Sequence, residues 1–262
     1  MKIIKPLVEE HDGSSFRELV DLWGERNFCE VVEIVTEHNP YNPDAKCWFG
    51  EKGNVLLYDF DILDHLKVDY KLCLFSNMVS NGEKDSPWVY WPKHSRVYDN
   101  LKESLRKPLS HRKTKCGFIG SATTAHRRNV SMFWSTVCDK FELFEEPTIE
   151  HEDYLNILSD FKFGLCLPGV GPKCLRDVEL IGMGTVPIIT PGVCTTYYDP
   201  LVENVHYFRA NNPSEAQKIM DECDDETWKE MSDNCINWFE KNCSIEGTFN
   251  RTVEIIEKKL IQ

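Results

Sequence analysis

Apolar residues in this chain fall into short runs, separated by stretches with helical spacing. In the first part, Glu30–Thr36, Asn54–Asp59 and Lys71–Ser76 read as strands, and Ser15–Glu25 and Asp61–Lys67 as helices. An aromatic segment, Pro87-Trp-Val-Tyr-Trp-Pro92, precedes a polar helical stretch at Arg96–Leu105. The run Lys107-Pro-Leu-Ser-His-Arg-Lys-Thr-Lys115 is basic and broken by Pro108, which makes it the predicted linker. Beyond it the alternation is cleaner. Lys115–Gly120 reads as a strand, Ala125–Phe141 as an amphipathic helix, Phe141–Glu145 as a short strand and Tyr154–Phe161 as a helix. Phe163-Gly-Leu-Cys-Leu167 and Val186-Pro-Ile-Ile189 are near-continuous apolar runs, the pattern of parallel strands buried on both faces. Cys174–Met183 reads as the helix between them. A short strand at His206–Phe208 and helices at Ser214–Cys223, Glu226–Asn242 and Thr248–Leu260 complete the chain. Strands alternating with helices predict parallel βαβ units, and so an α/β fold.

Composition narrows this picture. The chain has 262 residues, enough for two domains of roughly 110–150 residues each. The boundary falls in the basic run, giving 1–108 and 109–262. Apolar residues at 41% and aromatics at 11% supply packed cores and argue against long disorder. A formal net charge of -13 repels phosphate backbones and anionic lipid, which excludes nucleic acid and membrane surfaces as main partners. Small anions remain open to local clusters of Lys and Arg. The opening MKIIKPLVEE has no apolar run of signal-peptide length, and no 18-residue apolar stretch occurs, so a cytoplasmic protein is expected. The 11 cysteines include no C-x-x-C pair, and Cys73, Cys116 and Cys166 sit in apolar runs. They read as buried reduced thiols, with a zinc site or a disulfide framework as the alternative. Sequons at Asn129, Asn242 and Asn250 carry no meaning without secretion.

The chemistry concentrates between Pro168 and Thr190. A buried strand ends at Leu167, and Pro168-Gly-Val-Gly-Pro172 follows. Gly169 and Gly171 permit a tight backbone and close ligand approach. Lys173 and Arg176 flank the start of a helix, where free N–H groups and cations suit a phosphate. Glu179, three residues after Arg176, shares its helix face. Cations beside a carboxylate match a sugar nucleotide: diphosphate for the cations, ribose diol for the acid. The plain alternative is a βαβ turn in which Arg176 and Glu179 pair on a solvated face. The helix stops at Gly182-Met-Gly184.

The segment Leu175-Arg-Asp-Val-Glu-Leu-Ile-Gly-Met-Gly-Thr-Val-Pro-Ile-Ile189 resembles the donor site of exostosin-like glycosyltransferases. The likeness covers mainly residues 112–210. It departs at Leu175, where an aromatic is common, and at Cys174, where Ser is common. The resemblance implies a GT-B fold, two Rossmann-like domains with parallel sheets facing a cleft. It makes 1–108 the acceptor side and 109–262 the nucleotide-sugar side, with the last helix crossing back. It also implies that Glu179 holds the ribose while Arg176 and Lys173 meet the diphosphate. Gly117-Phe-Ile-Gly-Ser121 matches the Gly-rich turn that ends the first strand of the nucleotide domain, so Gly120 and Ser121 join the donor set with Gly169, Gly171 and Thr190. Arg127 or Arg128 fits the phosphate-contacting Arg at the next helix start; the alternative is two basic residues on an exposed helix. Tyr198 either borders the sugar or packs a loop. Size, acidity and the lack of a targeting signal also look like the small glycosyltransferases of large algal viruses, which build capsid glycans in the host cytoplasm. That likeness favours a UDP-sugar such as UDP-xylose, with a GDP-sugar as the other donor, and a glycan acceptor.

Other readings compete. Asp59-Phe-Asp61 after a strand matches the Asp-x-Asp of GT-A enzymes, which bind Mn²⁺ or Mg²⁺. That reading leaves Arg176, Glu179 and the Gly loop unexplained, so no metal or other cofactor is expected. A non-catalytic nucleotide- or sugar-binding module is a further alternative. In the GT-B reading Asp59, Asp61, Asp69 and His94 are candidates for the base that deprotonates the acceptor, each with a helix cap or surface charge as the bland alternative. Trp88, Tyr90 and Trp91 either stack on an acceptor sugar or pack a core.

Overall fold

Short apolar runs such as Val55–Tyr58, Leu72–Phe75 and Val186–Ile189 make interior strands of this α/β protein. The computed structural model describes residues 2–5, 14–33, 48–50, 55–58, 71–76, 83–122, 132–145, 149–169 and 171–260. Two units share the chain: Met1–Arg96 with Thr196–Asp199 and Asn242–Gln262, and Val97–Thr195 with Pro200–Lys241.

The first unit holds strands β1 (Lys2–Lys5), β2 (Glu30–Glu33), β3 (Trp48–Gly50), β4 (Val55–Tyr58), β5 (Leu72–Phe75) and β6 (Asp85–Pro87). Their order is β2-β1-β3-β4-β5-β6. Three pairs are parallel, while β3 runs antiparallel to both neighbours. Every residue of β5 is buried, as a central strand covered on both faces requires. Helix α1 (Ser14–Glu25) precedes β2, and the last helix of the chain, Ile245–Leu260, belongs to this unit. Indole N–H groups tie it in: Trp23 Nε1 donates to Ile245 O and Trp88 Nε1 to Thr252 Oγ1, both at 2.8 Å. Phe249 of the same helix meets the rings of Trp23 and Phe28. Trp88, Tyr90 and Trp91 are buried, with Trp88 edge-on to Trp91, so they pack a core and offer no open platform for a sugar.

The second unit begins within α2 (Ser95–Leu105). Its strands are β7 (Lys113–Ser121), β8 (Cys138–Phe144), β9 (Phe161–Cys166), β10 (Val186–Ile189) and β11 (Phe208–Arg209), ordered β11-β10-β9-β7-β8 and all parallel. The helices are α3 (His151–Ser159), α4 (Leu175–Gly182), α5 (Pro213–Glu222) and α6 (Asp225–Asn242); the terminal helix is α7. On one face Phe118, Phe163, Leu165 and Ile188 pack with Ala216 and Met220 of α5 and Trp228 and Met231 of α6. On another, α4 comes so near the sheet that a Cβ at Gly164 would lie 2.5 Å from Leu180.

Two expectations change here. Residues Cys138–Phe141 form a strand and follow a one-turn 3₁₀ helix, so the helix expected to reach Phe141 stops before Ser135. The basic run Lys107–Lys115 contains a one-turn 3₁₀ helix at Leu109–His111 and the first residues of β7, with Arg112 buried between them as its anchor. Its guanidinium donates to the carbonyls of Lys107, Phe161 and Met183 and to Thr185 Oγ1, and it stacks on Trp228. Burial pushes Arg112 down to about 10, still charged at neutral pH.

Candidate donor-binding site

The strand order of the second sheet reverses between β7 and β9: the chain leaves β7 toward β8, then returns to build outward through β9, β10 and β11. In open parallel sheets such a reversal opens a crevice at the carboxyl ends of the two strands. Gly120 and Ser121 end β7, and Leu167, Pro168 and Gly169 follow β9. The candidate residues therefore gather where the topology makes room for a ligand.

Helix α4 starts at that end. Its cap is Cys174, whose N–H donates to Asp177 Oδ2 at 3.1 Å, while the Asp177 N–H returns to Cys174 O. Next to the cap, Arg176 reaches across to β7. Its Nε donates to Ile119 O at 3.0 Å and its guanidinium lies 4.3 Å over the Phe118 ring. Gly120 makes this crossing possible, because a Cβ there would sit 2.4 Å from Arg176 Nη2. Arg176 is 7% exposed, and its Nη1 has no hydrogen-bond partner among the described residues. A buried charged donor left unmatched is costly, on the order of 1–3 kcal/mol or more, and most native structures avoid it. An anion resting in the crevice would remove that cost.

Glu179 is one turn further along α4 and 2% exposed. Burial of both side chains excludes the solvated Arg176–Glu179 pair. Tyr154 Oη of α3 donates to Glu179 Oε2 at 3.0 Å, and His151 Nε2 lies 3.4 Å from Oε1. From α2, Tyr98 Oη donates to the Glu179 main-chain oxygen at 3.0 Å. Burial, then the Glu179 charge, pushes the Tyr154 phenol well above its ordinary range. None of these three partners was legible as a site residue: they lie on elements far away in sequence and carry no motif.

Lys173 is 2% exposed, and burial pushes its ammonium down to about 8, with Cys194 beside it acting the other way. Between that value and the ordinary lysine range the unfolded chain holds the proton that the folded one releases, so the cost of burying this group falls as pH rises through the window. Gly169 N–H bonds Gly171 O at 3.2 Å, closing the turn. Thr190 is buried, and both its hydroxyl and its N–H donate to Cys166 O, tying the ends of β9 and β10 together.

The remaining candidates sit elsewhere. Tyr198 belongs to the first unit, where its hydroxyl donates to Glu254 and its ring lies under Lys258. His94 is half-buried in the same unit. Asp59, Asp61, Asp69, Arg127 and Arg128 lie outside the described residues. Among the described residues no cluster of three or more His, Cys, Asp or Glu side chains is placed to hold a metal ion, and no helix is long and apolar enough to cross a membrane. Asn242, one of the sequon residues, is buried, with its amide bonded to Asp199 and Arg251.

No protein-family model matches the chain, and no curated protein matches it in sequence. Among solved structures it is similar to Anabaena HepE in complex with UDP and glucose, at 10% identity over 72% of this chain and 63% of that one, with a TM-score of 0.43. A glycosyltransferase from Rickettsia africae is 14% identical over 93% of this chain and 52% of its own, with a TM-score of 0.39. HepE in complex with UDP-glucose gives 10% identity, 72% and 64% coverage and a TM-score of 0.39. The chain thus spans 52% to 64% of the length of these structures.

Proposed function

We propose that the second unit binds a nucleoside-diphosphate sugar and that the protein is a glycosyltransferase, moving that sugar to a hydroxyl of a glycan acceptor. The observation that carries this reading is Arg176: a buried guanidinium at the sheet's reversal point, laid over Gly120, with Nη1 unmatched. In this reading Arg176 and Lys173 take the diphosphate, and Glu179 takes the ribose diol. The acceptor hydroxyl displaces the nucleoside diphosphate, and the leaving charge is neutralised by the fixed cations, so no metal is needed. A UDP-sugar such as UDP-xylose is the favoured donor. The base that deprotonates the acceptor comes from Asp59, Asp61, Asp69 or His94.

A thermal-shift series with UDP, GDP and ADP tests the site. At about a hundredfold excess over Kd a bound diphosphate stabilises the fold by about 2.7 kcal/mol, a rise of roughly 5–10 °C. Glu179→Ala should abolish that rise. No shift with any nucleoside diphosphate would overturn the donor-site reading. Transfer from the donor should survive EDTA; loss of activity restored by Mn²⁺ would move the assignment to Asp59 and Asp61. Binding without transfer or hydrolysis would leave a binding module.

A further inference from the structure

We propose that Tyr154 is a positioning residue that orients the Glu179 carboxylate to select a ribose over a deoxyribose, with His151 holding the place of the sugar. The inference rests on the donor-site reading and deepens it by naming the side chains that order its carboxylate.

A glutamate side chain turns about three torsions, and a carboxylate that sweeps cannot discriminate between sugars differing by one hydroxyl. Selection needs the acid held by its surroundings. Around Glu179 the holding is explicit. Tyr98 fixes the main chain of α4 from α2, and Tyr154 fixes Oε2 from α3. The Tyr154 hydroxyl also lies beside Arg176, and Glu179 and Arg176 act on its ionisation in opposite senses. In the donor-site reading those two groups meet the diphosphate and the ribose.

His151 differs from Tyr154 in two ways. Its contact with Oε1, at 3.4 Å, is long for a hydrogen bond, and its side chain is 17% exposed against 2% for Glu179. It stacks on Tyr154, with ring centroids 5.4 Å apart and planes 24° from parallel. It therefore stands on the solvent side of a carboxylate whose far oxygen is already engaged. A carboxylate has about four acceptor positions. A ribose hydroxyl that replaces the weak His151 contact leaves the Tyr154 bond in place.

The test compares UDP with 2′-deoxy-UDP by calorimetry on the full chain, with inorganic pyrophosphate as a probe of the diphosphate part. Wild type should prefer UDP by roughly tenfold or more, the scale of a hydrogen bond to a charged group. Tyr154→Phe should bring the preference to within about threefold while pyrophosphate binds as before. His151→Ala should keep the wild-type preference. Glu179→Gln keeps the volume, and its fold does not depend on losing Tyr154. Tyr154 would claim the amide oxygen and turn the amide nitrogen toward the sugar, replacing a charged acceptor with a neutral donor, so the preference should fall to within about threefold. UDP binding with an unchanged preference in both Tyr154→Phe and Glu179→Gln would overturn this inference alone. Collapse of the preference in His151→Ala would overturn the place-holding role. Failure of wild type to bind UDP, GDP or pyrophosphate would overturn the donor-site reading and this inference with it.

Discussion

At position 120 the absence of a side chain is the functional requirement. The space that a Cβ would fill there is occupied by Arg176 Nη2, the movable end of a long side chain. Gly120→Ala therefore displaces the guanidinium more readily than it disturbs the strand. The expected outcome is a loss of roughly tenfold or more in pyrophosphate and UDP affinity, with stability changed by less than about 1 kcal/mol. Equal affinity for the variant in a calorimetric titration would show that the crossing of Arg176 over β7 is not what aligns it. At this scale the sequence was informative where residues sit in one stretch: Lys173, Arg176 and Glu179 stand out because they follow a glycine turn. Tyr154 and His151 did not, because Tyr154 is 25 residues from Glu179 and only the folded sheet brings α3 beside α4.

Elements were legible where a single period dominated. Val186–Ile189 is uniformly apolar and became a strand with the expected ends. The stop after α4 was also readable: Gly184 has φ of +70°, and Thr185 N–H and Gly184 N–H return to Leu180 O and Ile181 O, the hydrogen bonds of a Schellman ending. Strand β8 was readable only in its second half: it lies at the sheet edge, and Cys138–Lys140 continue an apolar spacing that also suits a helix. The basic run before β7 misled for a different reason. Composition describes Arg112 as a surface residue, whereas a guanidinium can be buried when carbonyls surround it. Arg112 joins β7, β9 and the end of α4 through groups from three places in the chain. An ammonium cannot serve that fork of acceptors, so Arg112→Lys should cost roughly 3 kcal/mol, read as a lower melting temperature. Unchanged melting would show that the surrounding carbonyls find other donors.

For the whole molecule the governing feature is that the first unit is discontinuous. Its sheet uses the early chain, yet α7 supplies the acceptors for the indoles of Trp23 and Trp88. Removal of residues 243–262 should expose both indoles, shift their fluorescence to the red and abolish the melting transition of the first unit, while the second unit keeps its own. A single unshifted transition in the truncated chain would contradict this division. The same feature sets an order in time. During synthesis, domains usually fold as they emerge, the N-terminal one first. Here every segment of the second unit has been made by Lys241, whereas the first unit waits for its last helix. The unit whose strands are translated first is therefore the one completed last, and until then its apolar sheet and tryptophans depend on chaperones or on speed to stay out of aggregates.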